Sequence, residues 1–189
     1  MKITGIVLAG GQGRRMGFMD KGLAQFRGRP MIAHVLERLA PQVDEIIINA
    51  NRNLDEYAKF GYRVIPDGIV DFSGPLAGMQ CGLRAARHPL VAFVPCDSPM
   101  QPPDLVERLA SALQQHNAPI CVAMTRMRTH PVFCLCRREM LPDLTLFLNN
   151  GGRKVDAWQT GLSAVGVDFE DEAEAFTNIN TLQERDAAE

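Results

Sequence analysis

The chain opens on a short, nearly continuous apolar run, Ile3 to Ala9, that stops at Gly10-Gly11. A run of this length without polar alternation reads as a strand buried on both faces. Pro30 to Leu39 then sets Ile32, Val35, Leu36 and Leu39 at helical spacing behind a proline suited to a first turn, and Glu45 to Ala50 follows as a β-branched run. Together these make one βαβ unit. The alternation continues with a helical Leu54 to Phe60, a strand at Tyr62 to Ile65, a helix at Leu76 to Ala86, and a strand at Leu90 to Pro95 that ends in Cys96-Asp97. Pro102 to His116 predicts a helix with Leu105, Leu109, Ala112 and Leu113 on one face, leading into a strand at Pro119 to Met124.

The gap from Met124 to Pro131 is too short for a crossover helix, so the next strand, Pro131 to Arg137, is expected to form a hairpin with its predecessor and to make the sheet mixed. Helical stretches at Glu139 to Leu148 and Arg153 to Thr160, a strand at Ser163 to Val167 and a tail at Thr181 to Ala187 complete the pattern. The expected architecture is a single three-layer α/β domain over residues 1–189, Rossmann-like and doubly wound, with a mostly parallel mixed sheet. In such folds ligands bind beyond the carboxyl ends of the strands, so the chemistry-bearing residues should cluster there.

Composition narrows the classes of partner. Apolar residues make up 46% and charged residues 22% of 189 residues, an ordinary globular balance. A formal charge of -2 offers no broad cationic surface for nucleic acid or an anionic membrane, so phosphate binding must be local. The five cysteines include no CxxC pair and mostly lie in apolar runs, which suits reduced core thiols in a cytoplasmic protein. The N-terminal strand is too short for a signal segment and no run is long enough for a membrane span, so neither export nor insertion is expected.

The segment Leu8-Ala9-Gly10-Gly11-Gln12-Gly13-Arg14-Arg15-Met16-Gly17 follows the first strand. Its glycines permit close approach, so successive N–H groups can converge on phosphate oxygens. It is not a Walker A loop, because Lys21 follows Asp20 and precedes Gly22 rather than Ser or Thr. Nor is it the dinucleotide fingerprint: the glycine spacing is GxGxxxG, and the second strand ends in Asn49-Ala50-Asn51 without the ribose-binding acid. What remains is a local cluster of Arg14, Arg15 and Lys21, which either forms a solvated face or stabilises a triphosphate and its departing pyrophosphate.

Three carboxyl-end segments complete the candidate site. Asp97 follows a strand that common doubly wound orders set beside the first, where it would either cap the turn before Pro99 or hold Mg²⁺ against phosphate oxygens. Asp67, in Pro66-Asp67-Gly68, has a turn role as its default. Ser73-Gly74-Pro75-Leu76-Ala77-Gly78 precedes a helix; it either initiates that helix, offers N–H groups to an anion, or admits a flat ring through its lack of bulk. Of the four histidines only His130, before Pro131, keeps a functional reading.

In order, Leu8-Ala9-Gly10-Gly11, Arg14-Arg15-Met16-Gly17, Asp20-Lys21-Gly22, Asn49-Ala50-Asn51-Arg52, Asp67, Gly74-Pro75-Leu76-Ala77-Gly78, Pro95-Cys96-Asp97, His130-Pro131 and Asn178-Ile179-Asn180-Thr181 resemble the molybdenum cofactor guanylyltransferase family, among nucleotidyltransferases with a Rossmann-like glycosyltransferase-A fold. The resemblance implies that Leu8, Ala9 and Gly10 contact guanosine through backbone and Asn49 through its side chain, with Gly11, Gly74, Pro75 and Gly78 in the same nucleotide site. It further implies that Lys21 and Asp67 belong to the GTP site, that Asp97 holds Mg²⁺, and that Arg15 is the first-choice phosphate partner. The C-terminal half is associated with the pterin, which makes His130, Arg153, Lys154, Asn178 and Asn180 candidates for acceptor binding, with strand-end turn and surface roles as the alternative for the last four. Phe18 departs from the pattern, standing where a small residue is expected.

The implied reaction is attack by the terminal phosphate of molybdopterin, or of the molybdenum cofactor, on the α-phosphorus of GTP. Arg15, Lys21 and Asp97 are the expected catalytic residues. The nucleophile is already anionic, so positioning and charge neutralisation suffice without a general base. Implied partners are GTP, the pterin, and proteins that deliver molybdopterin or mature molybdoenzymes. Two other readings stay open: a cytidylyltransferase on this or another phosphorylated acceptor, and a non-catalytic GTP-binding molybdopterin carrier.

Overall fold

The apolar run at the N-terminus forms β1 (Ile3–Leu8), with Ile6 and Val7 fully buried, in the computed structural model, which describes residues 1–9, 20–68, 74–126 and 128–179. The glycine loop from Gly10 through Arg14, Arg15 and Phe18, the position Asn180 and the tail Thr181 to Ala187 lie outside the described residues. After β1 come a two-residue hairpin, β2 (Gln25–Phe26) and β3 (Arg29–Pro30), then α1 (Met31–Leu39), β4 (Glu45–Asn49), α2 (Leu54–Ala58), β5 (Arg63–Ile65), α3 (Pro75–Ala85) and β6 (Leu90–Pro95). The second half runs α4 (Leu105–Gln115), β7 (Ile120–Thr125), β8 (Arg128–Arg137), α5 (Leu141–Asn149), α6 (Val155–Gly161) and β9 (Val165–Asp168).

Among the described residues the main sheet has seven strands, in the order β5-β4-β1-β6-β8-β7-β9. β1 pairs in parallel with both β4 and β6, so the strand carrying Asp97 at its end does lie beside the first. The mostly parallel, mixed sheet is as expected. The hairpin reading also holds, since β7 and β8 are antiparallel, but β8 continues inward and pairs with β6 as well.

Side chains alternate between two covered faces, which is the physical content of the three-layer reading. On β6, Leu90, Ala92 and Val94 face α1 and α4, while Val91 and Phe93 face α3, α5 and α6. On α1 the buried positions are Met31, Ile32, Val35, Leu36 and Leu39, matching the predicted stripe. All five cysteines are free and buried.

Most elements fall within about two residues of expectation, and three of the differing boundaries are informative. Helix α4 starts at Leu105 rather than Pro102, because a proline disfavours α geometry in the residue before it and two follow one another here. β8 starts at Arg128 rather than Pro131; its register shifts between Val122 and Ala123, and Pro131, which has no N–H, falls within that irregularity. The last strand is Val165–Asp168 instead of Ser163 to Val167. The β2–β3 hairpin was not expected; its two loop residues, Arg27 (φ 46°) and Gly28 (φ 74°), both take the positive φ that tight hairpins need.

Candidate active site

The carboxyl ends of four strands make a row. Leu8 is in register with Asn49 on one side and Pro95 on the other, and Asn49 with Ile65. Backbone bonds carry the row past the strands: the Ala9 N–H donates to Asn49 O (2.7 Å) and the Cys96 N–H to Leu8 O (3.1 Å). Each predicted group on these strands therefore projects from one edge of the sheet.

Asn49 is buried. Its Nδ2 donates to Ile65 O (3.3 Å) and to Asp67 Oδ1 (2.9 Å). Asn51 holds the other side of Asp67, donating from Nδ2 to Oδ2 (2.7 Å) and accepting the Asp67 N–H at Oδ1 (2.8 Å). Asp67 is thus a clamped carboxylate and more than a turn residue. Gly78 lies under Asn49: a Cβ there would stand 2.2 Å from Asn49 Oδ1 and 2.9 Å from Leu8 Cδ2. Its lack of bulk serves close packing of α3 on the strand ends. Gly74 (φ 148°) and Pro75 are exposed at the start of that helix, where Pro75 takes a first-turn position.

Lys21 opens a short 3₁₀ turn (Lys21–Leu23) with Asp20 at its N-cap. Its Nζ lies 3.0 Å from Asp97 Oδ2, and the two side chains are 23% and 12% exposed. Asp97 is held from behind by the C-terminal segment. The Ile179 N–H donates to Asp97 O (2.9 Å), Ser98 Oγ donates to Asn178 Oδ1 (2.6 Å), and Ile179 is buried with Ala24, Phe26 and Met31. Asn178 is thereby brought beside Asp97, 80 positions away in the chain from its partner Ser98.

The remaining acceptor candidates sit elsewhere on the same edge. His130 accepts from or donates to Thr125 Oγ1 (2.9 Å), stacks on Phe176 (4.6 Å) and meets Phe133 edge-on. Burial, and then the Arg128 charge, hold its ring below the usual histidine range. Arg153 donates to Leu148 O (3.1 Å) and Gly152 O (2.6 Å) in the turn between α5 and α6, and Lys154 is the exposed N-cap of α6. Helix α5 follows β8 from the opposite edge, so this turn returns to the carboxyl ends of the parallel strands.

The carboxylates differ in what holds them. Asp20 accepts from Tyr57, Gly22 and Asn53, and Asp67 from Asn49 and Asn51. Asp97 is buried and paired with a lysine on one oxygen, and the lysine is the more exposed of the two. A Mg²⁺ ion brought in by a triphosphate asks for one or two carboxylates plus phosphate oxygens and water, and Asp97 fits that demand. Among the described residues no group of three or more His, Cys, Asp or Glu forms a ready-made cage.

A lysine–aspartate pair at the mouth of a Rossmann-like sheet, beside a clamped asparagine and aspartate, suits nucleotidyl transfer, and residues 5–163 match the MobA-like NTP transferase domain. A molybdenum cofactor guanylyltransferase of Bordetella petrii is 51% identical, the match covering 96% of this chain and 94% of that protein. One from Acidovorax sp. (strain JS42) is 48% identical over 99% of this chain and 95% of its own. The chain belongs to the molybdenum cofactor guanylyltransferase family. In fold it is similar to the crystal structure of molybdopterin-guanine dinucleotide biosynthesis protein A from Archaeoglobus fulgidus, with a TM-score of 0.82 at 22% identity over 98% of this chain and 96% of that one.

Sequence reasoning missed the parts played by Asn51, Tyr57 and Ser98. Asn51 was visible as the second of two asparagines at strand-end spacing, but its partner is 16 residues away. Tyr57 and Ser98 carried no signal beyond helix and turn.

Proposed function

We propose that this protein transfers GMP from GTP to the terminal phosphate of molybdopterin or of the molybdenum cofactor, forming the guanine dinucleotide and releasing pyrophosphate. The observation that carries this reading is the Lys21–Asp97 pair at 3.0 Å, set at the edge shared by β1 and β6. Relatives about half identical over nearly the whole chain are guanylyltransferases, which favours GTP over CTP and transfer over mere carriage.

A phosphate oxygen of the acceptor forms a bond to the α-phosphorus of GTP as the bond to the pyrophosphate oxygen breaks. The attacking group is already ionised, so in-line positioning and stabilisation of the leaving charge do the work. Asp97 is the residue to hold Mg²⁺, which when bound supplies Lewis-acid neutralisation of phosphate charge. Lys21 exchanges its contact with Asp97 for the departing phosphates, with Arg15 as its partner. Leu8, Ala9, Gly10, Gly11, Asn49, Asp67, Gly74, Pro75 and Gly78 form or support the nucleotide site in the N-terminal half of one domain spanning residues 1–189.

Acceptor binding falls to the C-terminal half. His130, Arg153, Lys154, Asn178 and Asn180 are the candidates, and two cations suit an acceptor that ends in phosphate. Among the described residues no helix is long and apolar enough to cross a membrane. The cytoplasm is the proposed site of action, with molybdopterin-delivering and molybdoenzyme-maturing proteins as transient partners. Substituting Asp97→Ala is expected to cut pyrophosphate release by more than about a hundredfold at saturating Mg²⁺. Turnover near that of the unaltered protein would overturn the metal assignment.

A further inference from the structure

The turn that carries Lys21 is held by a residue that looks like plain core. Tyr57, on α2, has no exposed surface, and its hydroxyl donates to Asp20 Oδ1 at 2.5 Å. The same oxygen accepts the Gly22 N–H (3.2 Å), while Asp20 Oδ2 accepts Asn53 Nδ2 (2.9 Å). The backbone closes the turn: Asp20 O accepts the N–H groups of Leu23 (3.2 Å) and Ala24 (3.0 Å).

A second observation comes from Gly22. A Cβ on this residue would stand 2.5 Å from the Tyr57 hydroxyl and 3.3 Å from Cys96 Cβ. The Gly22 backbone therefore packs directly against the tyrosine hydroxyl and the end of β6, with no room for a side chain between. Asp97 follows Cys96 directly, and Lys21 Nζ reaches its Oδ2 at 3.0 Å. Burial drives the Tyr57 pKa far upward, so the hydroxyl stays a donor throughout the working pH range.

We propose that Tyr57 is a positioning residue for nucleotidyl transfer: by holding the Asp20 carboxylate it fixes the Lys21 turn opposite Asp97. The inference rests on the reading of Lys21 as a phosphate partner. A buried hydroxyl is costly unless bonded, and here its partner is an anion at the N-cap of the lysine's own turn. Lysine is a point charge on a flexible four-carbon stem, so its placement depends on where its backbone is anchored. Displacements of about 1 Å are enough to cost large factors in rate.

The test is a double-mutant cycle on the full chain with Tyr57→Phe and Lys21→Ala, read as initial rates of pyrophosphate release with GTP, Mg²⁺ and molybdopterin. Tyr57→Phe is expected to lower kcat about tenfold, the lower end of what a bond to a charged partner is worth. The KM for GTP should move by less than about threefold, the signature of a group acting on the transition state. In the Lys21→Ala background the same change should alter the rate by less than about twofold, since its effect passes through the lysine.

Equal losses in both backgrounds overturn the inference. So does an unchanged kcat in Tyr57→Phe. Near-normal turnover of Lys21→Ala alone is a different result, and it overturns the role of Lys21 itself. Asp20→Asn, run through the same cycle, keeps the test decisive if Tyr57→Phe melts well below the parent: coupling to Lys21 upholds the inference and additivity rejects it.

Discussion

Gly78→Ala sets two effects against each other whose sizes can be compared in advance. Gly78 is inside α3, where helix propensity alone favours alanine by about 0.8–1.0 kcal/mol. Against this, the new Cβ would lie 2.2 Å from Asn49 Oδ1 and 2.9 Å from Leu8 Cδ2, both far inside contact distance. Asn49 has little room to retreat, being buried and bonded to Ile65 O and Asp67 Oδ1. Moving it gives up a bond to a charged partner, worth about 1.5–3 kcal/mol, and a neutral one worth about 1 kcal/mol. The net is a destabilisation of about 1.5–3 kcal/mol, or roughly 3–12 °C in Tm for a domain of this size. Thermal melts give that number, and GTP titration should show binding at least about tenfold weaker because Asn49 and Asp67 are displaced together. Gly161→Ala is the internal control: among the described residues nothing beyond its own stretch of helix lies within 4 Å of its Cβ position at the end of α6, so alanine should leave the Tm unchanged or raise it. A Gly78→Ala protein as stable as the parent, with GTP affinity intact, would refute the packing argument.

Asn51→Ala removes two hydrogen bonds to Asp67, and should raise the KM for GTP about tenfold while leaving kcat within about threefold; steady-state kinetics check it. Asn178→Ala leaves the buried Ser98 hydroxyl without its acceptor and should cost about 1–3 kcal/mol in urea melts, with an unchanged midpoint as the contrary result. Burial pushes the Cys121 thiol up to about 11 and Cys96 and Cys134 well above their usual range. Stability from these raised groups is complete below the unfolded thiol value of about 8.5 and is lost as pH rises through the folded values. At about pH 10.5 Cys121 alone should cost about 2 kcal/mol, seen as a lower urea midpoint than at pH 8.

The parts of the fold that were legible are those set by local periodicity. The stripe on α1 and the run that became β1 each follow from spacing alone, and the placement of Asp97 beside the first strand follows from the common doubly wound strand order, in which β6 pairs with β1. The inward insertion of β8 was not legible, because a hairpin fixes which strand β8 pairs with on one side and leaves its other side open. Two successive prolines delayed α4 for a reason that sequence contains but that first-turn preference masked.

At the site, residue types were readable and their couplings were not. Asp67 looked like a turn residue because Asp-Gly makes turns, whereas the two asparagines that clamp it come from another strand end. Asn178 was assigned to the acceptor with nothing to show that its carboxamide meets Ser98, next to Asp97. Tyr57 is the clearest case: its ring belongs to the core and only its hydroxyl belongs to the site, a division that helical spacing does not reveal.

The reaction proposed for this protein is the transfer of GMP from GTP to the terminal phosphate of the pterin. It is tested most directly by incubating the protein with Mg²⁺, molybdopterin and an equimolar mixture of the four nucleoside triphosphates, then weighing the pterin product by mass spectrometry. One new species is expected, heavier than molybdopterin by a guanylyl group, formed with one pyrophosphate per molecule. A cytidylyl adduct, or bound GTP with no change in the pterin's mass, would contradict it.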